Sequence, residues 1–154
     1  MSRPTAVAGW LNAGPSSPLA NPSSPPAIRA PFAVVAFTNA AGLPWLRLLR
    51  PGFRHCFAAI NDGRHWLVID PLSSVLELSV AAVGAEVDLA ALLTGQGLTV
   101  VTAPVRRGLT KPAPWAPFTC VETVKRALGL HHRWVITPWQ LYRRLSSAPA
   151  TLAS

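Results

Sequence analysis

The sequence predicts a single α+β domain, a small antiparallel sheet with helices packed on it, and three observations carry that expectation. Strand-type apolar runs open the domain and two well-capped helical patterns close it, with one short helix between the strands. An Asp-Gly turn signal joins two of the apolar runs, as an antiparallel hairpin requires. Half of the 154 residues are apolar and only 13% are charged, which is material for one core and one domain.

Residues 1 to 30 are rich in Pro, Ser and Ala, in runs such as Pro22-Ser23-Ser24-Pro25-Pro26, and lack apolar periodicity. Such a segment cannot bury enough surface to offset its ordering entropy, so it reads as a disordered tail or docking arm. Arg3 is followed by a broken Ala/Val/Trp/Leu stretch and not by the apolar core of roughly 7 to 15 residues that an export signal needs. The domain proper is expected over 31–145, followed by a second flexible tail over 146–154.

Within the domain, Phe32-Ala33-Val34-Val35-Ala36-Phe37 predicts a buried strand, and Pro44 to Leu49 a short helix or turn. Phe53 to Ile60 and His65 to Asp70 are two further strands separated by Asn61-Asp62-Gly63-Arg64. A two-residue type I′ turn on Asp62-Gly63 would pair Asn61 with Arg64, and counting outward from that pair sets Asp70 directly across from His55. Val75 to Ala81 and Leu98 to Ala103 read as strands, and Asp88 caps a short helix that stops near Gly95. Thr119-Cys120-Val121-Glu122 has the form of a capping box ahead of a helix with Val121, Val124 and Leu128 on its apolar stripe. Thr137-Pro138 opens a last helix through Trp139, Leu141, Tyr142 and Leu145.

Composition excludes several classes. The net charge of +8 arises from twelve Arg and two Lys, which favours polyanionic partners, but no Arg/Lys block of five exists and no specific nucleic-acid partner is expected. No apolar stretch reaches the roughly 18 residues of a membrane span. A soluble protein, cytoplasmic or virion-associated, is the expectation. Cys56 and Cys120 are the two cysteines, too few for a disulfide framework and without Cys-x-x-Cys spacing.

The chemistry-bearing residues are Cys120, His55 and Asp70. Cys120 stands at the first position of its helix, where unpaired N–H groups and the macrodipole favour a thiolate, and its own N–H could receive a developing oxyanion. His55 would serve as base, and Asp70, in register across the hairpin, would accept from the imidazole and orient it. Taken singly, each has a structural reading: an apolar filler, a strand-end histidine, a turn-forming Asp before Pro71. Their coincidence in one register is what points to a nucleophile, a base and an orienting acid. Because strand neighbours project oppositely, Cys56 is expected in the far core layer and a Cys56–Cys120 disulfide is not. His65, His131 and His132 read as structural or solvated. No zinc ligand pair has local spacing and no Gly-rich phosphate loop is present, so no cofactor or metal is expected.

Phe53-Arg54-His55-Cys56-Phe57, then Asp70-Pro71-Leu72, then Pro117-Phe118-Thr119-Cys120-Val121-Glu122-Thr123-Val124, resemble the papain-like NlpC-type amidases and peptidases, in the circularly permuted branch where His precedes Cys. The resemblance covers roughly residues 50 to 145. It implies a nucleophile opening a helix on an antiparallel sheet, a His on one strand and a polar residue on the next, which fall on Cys120, His55 and Asp70. It also implies amide cleavage in peptidoglycan stem peptides or acyl transfer. The order His, Asp, Cys is similar to adenovirus-type and ubiquitin-like-protein proteases as well, although Val121 holds the place of their Gly and no Gln stands a few residues before Cys120. A cell-wall peptide is the favoured substrate, with Trp115 and its neighbouring prolines as one groove wall. The alternative is a non-enzymatic assembly or adaptor protein of a phage or prophage tail region, docking through the N-terminal arm.

Overall fold

The structure, a computed structural model, describes residues 31–40, 44–72, 75–106 and 115–147. The expected tail over 1–30, residues 148–154 of the expected tail over 146–154, and Pro112 and Pro114 lie outside the described residues, while Ser146 ends the last helix and Ser147 caps it. Five strands, β1 (Phe32–Thr38), β2 (His55–Asn61), β3 (His65–Leu72), β4 (Val75–Gly84) and β5 (Thr99–Pro104), form one antiparallel sheet in the order β4-β3-β2-β1-β5. Among the described residues three α-helices accompany it, α1 (Leu89–Gly95), α2 (Cys120–Ala127) and α3 (Pro138–Ser146), with a 3₁₀ turn at Pro44–Leu48. The fold is α+β, as the order of elements along the chain predicts.

β1 is paired on both edges, by β2 and β5, and faces a packed core on each side, which is why its run of Ala, Val and Phe is apolar on both faces. Alternation sorts its residues into two cores. Val34 and Ala36, with Phe57, Ala59, Trp66 and Val68, pack under α1 through Leu89 and Leu93. Ala33, Val35 and Phe37, with Cys56 and Ala58, pack under α2 and α3 through Val121, Val124, Leu128, Leu141 and Leu145.

The hairpin turn differs from the type I′ expectation. Only Gly63 takes a positive φ, +93°, whereas type I′ needs one at both central residues. Asn61 Oδ1 accepts from the Gly63 N–H, and Asp62 Oδ1 accepts from the N–H groups of both Arg64 and His65. These side-chain bonds move the turn one residue along, so Asn61 pairs with Trp66 and not with Arg64. A two-residue change of partner preserves parity. His55 and Asp70 therefore keep a common face but stand diagonally, not directly opposite.

The helix ends follow their sequence signals. Asp88 Oδ1 accepts from the Ala91 N–H, and Thr119 Oγ1 accepts from the Glu122 N–H. Gly129, at φ +69°, ends α2 in a Schellman motif with Gly129 N–H on the Arg126 carbonyl and Leu130 N–H on that of Lys125. The reciprocal capping box forms at α3, where Gln140 Oε1 accepts from the Thr137 N–H. At α2, Glu122 instead turns forward, meeting Lys125 Nζ at 2.7 Å and Arg126 Nε at 2.8 Å. Lys125 is buried and also donates to the His132 carbonyl. Glu122→Ala should therefore lower unfolding stability by about 3 kcal/mol, because it strands a buried ammonium. A urea midpoint unchanged from wild type would show that Lys125 finds its compensation elsewhere.

An aromatic cluster fixes the entry to β2. Phe53 packs on Phe37, Trp139 and Tyr142 with ring centroids 4.8 to 5.6 Å apart, and the Arg50 guanidinium lies 3.7 Å above the Trp139 ring. This ties the chain immediately before His55 to α3.

Candidate active site

The β2–β3 ladder runs from Asn61↔Trp66 to Ala58↔Ile69. Beyond it β2 continues along β1 to His55↔Thr38, while β3 continues along β4 to Leu72↔Val75. The two strands thus stop pairing just before the residues that carry chemistry. Across that opening His55 donates from Nε2 to Asp70 Oδ1 at 2.7 Å. The Asp70 carboxyl is almost completely buried and His55 largely so. A buried carboxylate needs such a partner. Oδ2 of Asp70, also buried, has no partner among the described residues.

Cys120 reaches the same opening from α2. It is the first helical residue, Thr119 being the N-cap, and it packs against the core layer that contains Cys56. His55 and Cys56 both lie close enough to its sulfur to act on its ionisation. With Nε2 committed to Asp70, Nδ1 is the ring nitrogen left for Cys120. The Cys56 thiol and the Cys56 backbone N–H both favour the charged sulfur, at a level where β3 has left β2.

These contacts set the charges. The hydrogen bond from the Cys56 thiol is the strongest influence on Cys120, and burial opposes it; the hydrogen bond and positive charge of His55 then help bring the thiol down to about 5. A helix N-terminus favours the same anion. Burial works against a charge on His55, but its hydrogen bonds to Asp70 and Cys120 and the negative charges of both outweigh burial and raise the imidazole to about 9. Burial pushes the Cys56 thiol well up, and the charged Cys120 beside it adds to this, so Cys56 remains protonated. The two shifts, down for Cys120 and up for His55, together favour a thiolate–imidazolium pair at neutral pH.

Donors for an oxyanion stand at the same helix start. Thr119 takes the N–H of Glu122 through its hydroxyl and that of Thr123 through its carbonyl. Among the described residues, this leaves the N–H groups of Cys120 and Val121 without a use inside the chain. Val121 is a donor the sequence reading did not name.

Cys56 is the residue that reading placed wrongly. It lies in the same core layer as Cys120, not in the far one. His55 and Cys56 do project oppositely, and His55 shares with Phe57 the lining of a cleft on the α1 side. Cys120 contacts both because it sits where the sheet has opened, so facing one strand residue does not exclude its neighbour. The small side chains Cys56 and Ala58, next to a helix with a Val121/Val124/Leu128 stripe, were the available sign of this packing.

The cleft holds about 270 Å³ and is lined by Phe37, Phe57, Leu98, Asn39 and Gly97 together with His55. Trp115 is 92% exposed and forms no wall of it, contrary to the expectation from sequence. His65 is mostly exposed, 3.8 Å from Asp62, and takes no part in the site. No group of three metal-ligating side chains occurs among the described residues, and no helix among them is long and apolar enough to cross a membrane. No protein family, curated protein or solved structure matches the chain.

Proposed function

We propose that this chain is a cysteine hydrolase of amide bonds, with the architecture of the circularly permuted NlpC-type branch of the papain-like superfamily. The observation that carries the reading is the buried His55–Asp70 hydrogen bond beside Cys120, which opens a helix packed on an antiparallel sheet. The Cys120 sulfur attacks the amide carbonyl, and the N–H groups of Cys120 and Val121 receive the oxyanion. The His55 imidazolium gives its proton to the leaving amine, and the neutral ring then draws a proton from the water that cleaves the thioester. Asp70 keeps Nε2 protonated and Nδ1 aimed at the sulfur throughout.

A peptidoglycan stem peptide is the proposed substrate. Its carboxylates suit a chain of net charge +8, and one of its side chains would enter the uncharged walls of the cleft beside His55. The test is the pH profile of hydrolysis of a labelled stem peptide. The thiolate is lost by protonation as pH falls through about 5, and the imidazolium is lost as pH rises through about 9, so kcat/KM should form a bell between those limbs. No cleavage of stem peptides or of generic amides anywhere in that window would end the hydrolase reading.

A second reading has its own observation. Leu67, Leu76, Leu78 and Val80 share one face at the β3–β4 edge of the sheet and are exposed. An apolar patch of this kind suits an assembly or adaptor protein. On that reading a Cys120→Ser chain keeps its partner in a pull-down from the native source, while loss of residues 1–28 releases it.

A further inference from the structure

Cys56 is entirely buried, yet its thiol rests against the one sulfur in the described chain that ionises readily. The hydrolytic cycle derived above uses no group of Cys56, and a small apolar side chain would fill the same place in the core. A second thiol there supplies something more, because two sulfurs packed in the same layer between β2 and α2 can also become covalently joined. The position suits that chemistry. Cys56 is on β2 and Cys120 on α2, both in the packed layer between sheet and helix, so the pair is held together by the core and not by a mobile loop. Cys120 is the more accessible of the two, so a small oxidant meets it first.

We propose that Cys120 and Cys56 form a reversible disulfide in response to hydroperoxides, with Cys120 as the peroxide-reactive sulfur and Cys56 as the resolving one. In the first step the Cys120 thiolate attacks the terminal oxygen of the hydroperoxide. The S–O bond forms, the O–O bond breaks, and the departing alkoxide takes the proton of the His55 imidazolium to leave as an alcohol. In the second step the Cys56 sulfur attacks the sulfenic sulfur of Cys120. The S–S bond forms, the S–O bond breaks, and the hydroxide leaves as water with the proton of Cys56. Two thiols are thereby oxidised by two electrons to a disulfide and one hydroperoxide is reduced to an alcohol and water. With hydrogen peroxide both products are water. Because both sulfurs belong to one packed layer of the same chain, the second step is intramolecular and competes well with further oxidation of the sulfenic acid. A small dithiol reverses the bond by exchange. The part of the proposal that concerns control of amide cleavage rests on the hydrolase reading, since a disulfide removes the nucleophile; the sulfur chemistry does not depend on it.

The experiment treats the full chain with a few equivalents of hydrogen peroxide in the absence of thiols and reads its intact mass under denaturing, non-reducing conditions. A loss of two hydrogens, the disappearance of both free thiols, a joined Cys56–Cys120 peptide after digestion, and recovery of both thiols with dithiothreitol are the expected results. Cys56→Ser and Cys56→Ala should instead gain oxygen on Cys120, trapped first by dimedone as the sulfenic acid and then fixed as the sulfinic acid. Wild-type chain that gains one or two oxygens while Cys56 still reacts with iodoacetamide after denaturation would overturn the proposal, and so would a disulfide found only between chains. The mass measurement needs no turnover and no variant. A disulfide in a chain that cleaves no amide leaves the sulfur pair standing and removes the hydrolase; peroxide inactivation without a disulfide does the reverse.

Discussion

Cys120→Ala should abolish amide cleavage, lowering kcat on the order of 10⁴-fold or more while the protein still unfolds cooperatively near the wild-type temperature. The size follows from the role: with the sulfur gone no covalent intermediate forms, and only the oxyanion donors and substrate binding remain to accelerate attack by water. The fold is spared because Ala suits the first turn of a helix and the cap belongs to Thr119, whose hydroxyl still accepts from the Glu122 N–H. Cys120→Ser should be nearly as inactive. The contacts that bring a thiol to about 5 leave a serine hydroxyl, a far weaker acid, protonated. Single-turnover measurements with a labelled stem peptide check both variants, and activity within about tenfold of wild type in either would mean that Cys120 is not the nucleophile.

Asp70→Asn should lower kcat by about 10²- to 10⁴-fold with little change in KM. The carboxylate accepts from His55 Nε2 at 2.7 Å and helps hold the imidazole protonated near 9. An amide in its place can offer its NH₂ instead and select the tautomer that turns a proton toward the sulfur. The His55 pKa should fall, so the alkaline limb of the rate profile should move to lower pH, a shift that loss of structure alone would not produce. A Cys120 labelling rate with iodoacetamide that depends on pH as in wild type would show that Asp70 does not act through the imidazole.

Much of this was legible in one dimension because it depends on neighbours along the chain. Thr119 ahead of Cys120, Asp88 ahead of Leu89 and Thr137-Pro138 each announce a helix through caps that are local by construction, and all three begin there. The strand alternation of β2 and β3 put His55 and Asp70 on one face, and that parity survived an error in the turn. The error arose because Asp-Gly admits more than one turn, and the choice was made by the side chains of Asn61 and Asp62 bonding the loop N–H groups.

The sequence by itself determined the α+β class, the element order, the helix-start thiol and the shared face of His55 and Asp70, since each rests on periodicity or capping over a few residues. Tertiary structure alone decided that β2 and β3 part after Ala58↔Ile69 and that α2 enters at the parting, so that Cys120 touches both His55 and Cys56. Where two strands separate depends on what each pairs with on its other side, β1 for one and β4 for the other. Which face a helix covers depends on the size of side chains drawn from distant strands, Ala33, Cys56 and Ala58 here. Those are packing balances between segments far apart in sequence, and no local pattern encodes them.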